Sequence, residues 1–197
     1  MLKTMISRFR LRAPRIGDAA RRLPGDRGGV SAIEFVLIFP LLVGLLAGTV
    51  DFGQALMVSR KMNQIVGTLG DMVAQKSAWT STDVNAIITG SSTIILPFDT
   101  SKLTIQMAVV DVATNLSTSV NWAKAYNTTA LTKGAASPVT VPTTIATAGV
   151  QLVTVKATYS LTTPFSSLLK PVTGVTSYNY TKTYIIRPRV KDTITLD

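Results

Sequence analysis

The apolar positions of this chain change their rhythm three times. Residues 35–50, FVLIFPLLVGLLAGTV, carry no charge. Extended back to Val30 across Glu34, the run is twenty-one residues long. As an α-helix it measures about 31 Å, enough to cross a bilayer core. Beyond Asp51 the run becomes a stripe. Val58, Met62, Ile65, Leu69 and Met72 recur at four-three-four-three spacing, and Val66 and Val73 widen the stripe. One helix is therefore predicted from Ser31 to about Gln75, apolar all round at first and amphipathic later. Pro40 removes one backbone hydrogen bond and is expected to kink it, which membrane helices tolerate. The stripe needs a surface to lie against. The preferred reading makes it the core-facing side of the following domain's main helix; packing on neighbouring copies is the alternative.

From Trp79 the chain turns Thr- and Ser-rich. Thr80-Ser81-Thr82-Asp83 has the form of a capping box, and with Val84, Ala86, Ile87 and Ile88 it predicts a short helix ending at Gly90. Alternation at period two then takes over. Leu103, Ile105, Met107 and Val109 mark one strand, Val120 and Trp122 a shorter one. Val153, Val155, Ala157, Tyr159 and Leu161 mark a third, and Tyr178, Tyr180, Lys182, Tyr184 and Ile186 a fourth. Pro138, Pro142 and Gly149 place a long loop between the second and third. Pro164, Pro171 and Gly174 punctuate the last connection. The expected fold class is α+β, a long N-terminal helix packed on an antiparallel sheet of about four strands.

Composition narrows the chemistry. The 197 residues include no Cys, no His and a single Glu, Glu34. Disulfides, thiol nucleophiles, Cys- or His-ligated zinc and His-based general-base schemes are all excluded. Asp99 and Asp111 lack calcium-loop spacing, so neither a metal nor another cofactor is expected. Ser167-Leu168-Leu169-Lys170 fits an SxxK pattern, but neither Ser-Asp-Asn nor Lys-Thr-Gly accompanies it. The chain reads as a non-enzyme without a small-molecule substrate.

Charge supplies a topology. The net charge is +10, and residues 1–30 hold eight of the twenty cations against Asp18 and Asp26. A basic arm of this kind suits nucleic-acid binding, a transit peptide or the cytoplasmic flank of a membrane segment. The apolar run that follows favours the third and argues against a nucleic-acid partner. Only Arg60, Lys61 and Lys76 lie close behind the run. The cation bias puts the N-terminus in the cytoplasm and the C-terminal bulk outside. Four regions result: a basic leader at 1–29, with Pro14, Pro24 and no sustained apolar face; a membrane helix at 30–51; its amphipathic continuation at 52–77; and a β-containing domain at 78–197. Gly44 and Gly48 form a GxxxG step inside the membrane helix, which permits close approach of a second helix. Arg21-Arg22 is a poor twin-arginine signal because Leu23-Pro24 follows.

The stretch Arg27-Gly28-Gly29-Val30-Ser31-Ala32-Ile33-Glu34-Phe35 holds the densest information. A basic leader ends in glycine, and the solitary Glu lies five residues on, at the head of the apolar helix. This resembles a type IV prepilin processing site. Residues 28–53 as a whole, GGVSAIEFVLIFPLLVGLLAGTVDFG, resemble the opening of the TadE/TadG-like minor pilins (pseudopilins) of the tight adherence, or Flp, pilus system. The family's run of Gly, Glu-Phe, Pro, Gly, an acid and Phe-Gly corresponds to Gly29, Glu34, Phe35, Pro40, Gly48, Asp51, Phe52 and Gly53. Gln54 stands where the family often has Arg. Farther on, Val120-Asn121-Trp122 resembles the family's tryptophan strand. Residues 151–165, with Tyr159, Pro164 and Phe165, resemble its tyrosine strand followed by Pro-Phe. Arg187-Pro188-Arg189 resembles its terminal Arg-Pro-Arg.

The resemblance implies a pilin-like fold and a role in assembly. A membrane-embedded prepilin peptidase would cut between Gly29 and Val30, and Glu34 would become the fifth residue of the mature chain. Partners would be the inner membrane, the peptidase, other pilins and the pilus assembly machinery. The setting would be a bacterial inner membrane, crossed once, with a periplasmic or pilus-exposed domain serving pilus assembly and surface adherence. Physics is compatible with these roles. Glycine lets a protease approach the backbone in extended form. A carboxylate at membrane depth costs roughly 2.5–3.5 kcal/mol and needs a partner, which the new amine of Val30 on a neighbouring subunit could supply. Three rivals predict other mature chains or chemistries. They are an uncleaved signal-anchored periplasmic binding protein, a domain freed by signal peptidase near Ala47, and an anchored enzyme using Ser167 and Lys170.

Overall fold

The computed structural model describes residues 27–197. The basic leader at 1–29 falls outside these residues, except at its last three positions. There helix α1, Arg27–Ala74, already runs, so it starts four residues before Ser31. Gly28 and Gly29 are poor helix formers, but extending an existing helix costs far less than nucleating one, and the apolar run behind them is strongly helical. Pro40 lies inside α1. The chain divides into two units, Met1–Leu46 and Ala47–Asp197.

In the first unit every described side chain from 30 to 42 is exposed. Leu37 and Val36 reach 73% and 66%. The most apolar eighteen-residue window of α1 has a mean hydropathy of 2.4, and 6% of it is buried. A soluble core helix of that hydropathy would be covered by protein. A helix that is apolar all round and uncovered fits a membrane span.

The second unit holds the core. Strands β2 (Leu103–Val112), β3 (Thr118–Tyr126), β4 (Leu152–Leu161) and β5 (Tyr178–Ile186) form an antiparallel sheet in the order β3-β2-β4-β5. Leu103, Ile105, Met107 and Val109 of β2 share a face with Val153, Val155, Ala157, Tyr159 and Leu161 of β4. Against that face pack Val58, Met62, Ile65, Val66, Leu69 and Val73 of α1, all buried. The preferred partner for the stripe is thus the chain's own sheet. Met72 departs from the expected stripe, being 41% exposed while Val73 and Ala74 are buried. The reason is helical drift: a turn takes 3.6 residues, so after Leu69 the core direction falls closer to Val73 than to Met72.

Helix α2 (Ser81–Ser92) closes the same core with Val84 and Ile88. Its capping box is real on one side, since Thr80 Oγ1 accepts from the Asp83 backbone N–H at 3.1 Å. The helix runs two residues past Gly90 and tightens into a 3-10 turn at Thr93–Ile95. The sheet's other face is not solvated. Ala108, Val110, Val112, Val120 and Leu152 form a second cluster there, covered by Leu131, Ala135, Val141 and Ala146 of the long β3–β4 loop. That arrangement explains why β2 is buried at four consecutive positions, residues 107–110.

Three elements were not expected. A bulge at Asn121 shifts the β2–β3 register, so that Val109 faces Trp122 while Val110 faces Val120. Val120 and Trp122 therefore serve opposite clusters, although period two would put them on one face. A two-stranded parallel pair joins β1 (Ala78–Trp79) to β6 (Thr195–Leu196). Helix α3, Ser166–Thr173, interrupts the last connection and ends at Gly174 in the left-handed conformation, φ 73°.

Candidate functional site

The residues expected to carry assembly all lie on the uncovered part of α1. Val30 and Glu34 are one turn apart and both exposed. Among the described residues none forms an ion pair with Glu34; the pair that does form is Arg189 with Asp71. The rings of Phe35 and Phe39 stack one turn apart with centroids at 5.3 Å. A Cβ added at Gly44 or Gly48 would meet nothing within 4 Å. These glycines are not required by the fold's own packing, and the space over them is open to a second helix. The bond between Gly29 and Val30 sits inside the first turns of α1 rather than in an extended segment. An extended approach by a protease would have to unwind those turns, which the Gly pair makes easier by about 1 kcal/mol per residue relative to alanine.

The second group of motif residues turns out to be structural. Asp51 is 3% exposed. Its Oδ2 accepts from Thr163 Oγ1 at 2.6 Å, and its Oδ1 accepts from the Phe165 backbone N–H at 3.3 Å. The acid that closes the charge-free run is therefore bonded to the residues on either side of Pro164, more than a hundred positions away. Phe52 beside it is 66% exposed, and a Cβ on Gly53 would meet open space. At the other end of the core part of α1, the Arg189 backbone N–H donates to Ala74 O at 2.9 Å and its guanidinium reaches Asp71 at 3.1 Å. Arg187 donates to Ile145 O and to Thr147 Oγ1, holding the long loop.

Asn121 and Trp122 join a partly buried polar network. Asn121 and Gln151 donate to the two carboxylate oxygens of Asp111 at 2.8 and 2.7 Å. Gln151 Oε1 accepts from Ile194 N at 2.6 Å, and Trp122 Nε1 donates to Ile194 O at 2.8 Å. Asp111 thus holds strands together. Asp99 caps a 3-10 turn, where hydrogen bonds from the Ser101 side chain and backbone hold its carboxyl below the usual range. Among the described residues no three His, Cys, Asp or Glu side chains gather as metal ligands. Ser167 and Lys170 both lie exposed on α3. An open groove of about 380 Å³ is lined by Met72, Lys76, Trp79, Asp83 and Ile87.

Sequence reasoning named Asp51 as a motif position without a task. The available signal was its place: a carboxylate directly after sixteen uncharged residues is costly unless paired. Its partners could not be read, because Thr163 is one of many threonines and the Phe165 contact uses backbone.

The TadE-like protein family model matches residues 29–67. The match starts at the glycine of the expected processing site and bears out the resemblance over the uncovered part of α1 and the first half of its core stripe. No curated protein and no solved structure matches the chain.

Proposed function

We propose that this TadE-like, helix-anchored chain is a minor pilin of a tight adherence pilus, matured by a prepilin peptidase between Gly29 and Val30. The observation that carries the proposal is the contrast within α1. Within the family match, residues 30–42, Glu34 among them, are all exposed and a Cβ on Gly44 or Gly48 would meet nothing within 4 Å, whereas Asp51, Val58, Met62, Ile65 and Val66 are buried. A helix that holds GxxxG open and carries one acid at its head is built to meet other helices in lipid. Cutting after Gly29 would expose the amine of Val30. In a filament, Glu34 of one subunit would pair with that amine on its neighbour, and the cost of leaving either charge unpaired in low dielectric would set the register. The second unit would act by interaction, on the outer side of the inner membrane or on the pilus.

The helical start at Arg27 favours one competing reading, an uncleaved signal-anchored binding protein. Intact mass and N-terminal sequence of the mature chain separate the two. A start at Val30 is expected, and a start at Met1 would sink the pilin reading. Glu34→Gln is expected to be cut normally yet to leave cells without pili; normal piliation by this variant would refute the pairing account.

A further inference from the structure

Helix α3 has no counterpart in the roles above, and its exposed surface is unusual. Leu168 and Val172 lie one turn apart on α3 and form one apolar stripe, and Val175 follows beyond the Gly174 cap. They are 54%, 87% and 41% exposed, and Val172 is the most exposed large apolar side chain among the described residues. At the start of the helix Ser166 is buried and bonded to Thr163 O, while residues 170–174 are exposed. The stripe is thus displayed by a helix held at its first turn.

What fixes it is informative. Asp51 grips Thr163 and the Phe165 N–H, the two residues that lead into α3. In sequence Asp51 is also the first charged residue after the uncharged run of residues 35–50. One carboxylate therefore ties the start of α3 to the point where the membrane span ends. Lys170 is the single charged residue between 161 and 177. Two residues from both Leu168 and Val172, it lies on the opposite side of α3, and a short helix divided into an apolar and a cationic side suits the boundary between acyl chains and headgroups.

We infer that α3 lies on the outer surface of the bilayer as an interfacial helix, with Leu168 and Val172 inserted into lipid and Lys170, on the opposite side, among the headgroups. The occupant of the stripe is phospholipid, and the argument rests on the membrane-anchored reading of α1.

The chain has no cysteine, so single-cysteine labelling is clean. The full chain would be placed in nanodiscs of phosphatidylcholine and phosphatidylglycerol and labelled with a polarity-sensitive fluorophore at Leu42→Cys, Val172→Cys or Thr114→Cys. Thr114 lies on the β2–β3 turn, at the far end of the sheet from Leu161 by the pairing of Val110 with Leu152 and Leu103 with Tyr159. Lipids with nitroxide on the acyl chain then report depth. Val172→Cys is expected to show blue-shifted emission and loss of fluorescence to the nitroxide, consistent with burial of about 5–10 Å. Thr114→Cys should show neither. Quenching at Leu42→Cys with Val172→Cys behaving like Thr114→Cys would overturn the inference while leaving the anchor intact. So would disulfide formation at Val172→Cys between two copies without lipid quenching, which would make the occupant a second protein chain. No quenching at Leu42→Cys would overturn the anchored reading itself.

Discussion

The two parts of α1 are one helix with opposite relations to the rest of the chain. Leu37, Leu42 and Leu45 are more than half exposed, whereas Ile65 and Leu69 are completely buried. The same contrast appears in the glycines. Gly44 and Gly48 open onto empty space, while a Cβ at Gly70 would come within 2.6 Å of Tyr184 Cδ1 and 3.1 Å of Cε1. An apolar side chain or a missing one thus has two meanings in a single element. In the later part it answers a neighbour within the chain. In the earlier part it answers a surrounding that the chain does not itself provide.

The largest test of this contrast is a pair of leucine truncations. Leu69→Ala removes a fully buried side chain from the α1–sheet core and is expected to cost about 2–5 kcal/mol of unfolding free energy. Leu42→Ala removes an exposed one and is expected to leave that value within about 0.5 kcal/mol of the parent. Trp79 and Trp122 both lie in this core, so denaturant unfolding of the detergent-solubilised chain followed by tryptophan fluorescence reads the difference directly. Equal losses would mean that the first part of α1 also supports the β-domain.

A glycine pair sharpens the comparison at smaller amplitude. Gly70→Val forces two methyl groups toward the Tyr184 ring, and overpacking of this kind is expected to cost about 1–3 kcal/mol. Gly44→Val should leave the unfolding midpoint unchanged and should instead weaken association between copies in a membrane crosslinking assay. If Gly44→Val associated like the parent, the open GxxxG face would have no partner helix. If Gly70→Val were neutral, Tyr184 must swing aside without losing its hydrogen bond to Asp71.

What could be read in the sequence divides along the same line. Periodicity located α1, α2 and the four long strands because each buries a face at a regular interval, and regular burial leaves a regular pattern. The stripe failed only at Met72, where drift of the helical period outran the integer spacing. The features it did not disclose depend on interruptions or on remote pairing. The bulge at Asn121 puts Val120 and Trp122 on opposite faces without any change in composition. Helix α3 carries a proline at its sixth position and a glycine cap, which read as punctuation. β1 and β6 are two residues each and pair across nearly the whole domain. Of the candidate site, residues 29–53 were legible as a motif. That Thr163 and Phe165 hold Asp51 at one end of the core part of α1 and Arg189 holds Asp71 and Ala74 at the other was not, because the bonds run partly through backbone groups that no residue type announces.

The smallest expected effect tests burial on the sheet side of the same core. Tyr159 is 4% exposed, opposite Leu103 on β2. Burial raises the pKa of its phenol, and the Asp99 carboxylate adds to the rise. Tyr180 and Tyr184 shift the same way, again chiefly through burial. A phenol with a raised pKa binds its proton more tightly in the folded chain than in the unfolded one. Its contribution to stability is complete below the ordinary tyrosine value of 10.0 and is lost as pH rises through the folded pKa. The unfolding midpoint is therefore expected to fall as pH is raised above about 10. Tyr159→Phe should make that fall shallower without abolishing it, since two shifted tyrosines remain. Lysines also deprotonate in this range, so the informative quantity is the difference in slope between parent and variant. Identical slopes would mean that Tyr159 ionises as easily in the folded domain as in the unfolded chain. The core facing α1 would then be open to water at that strand.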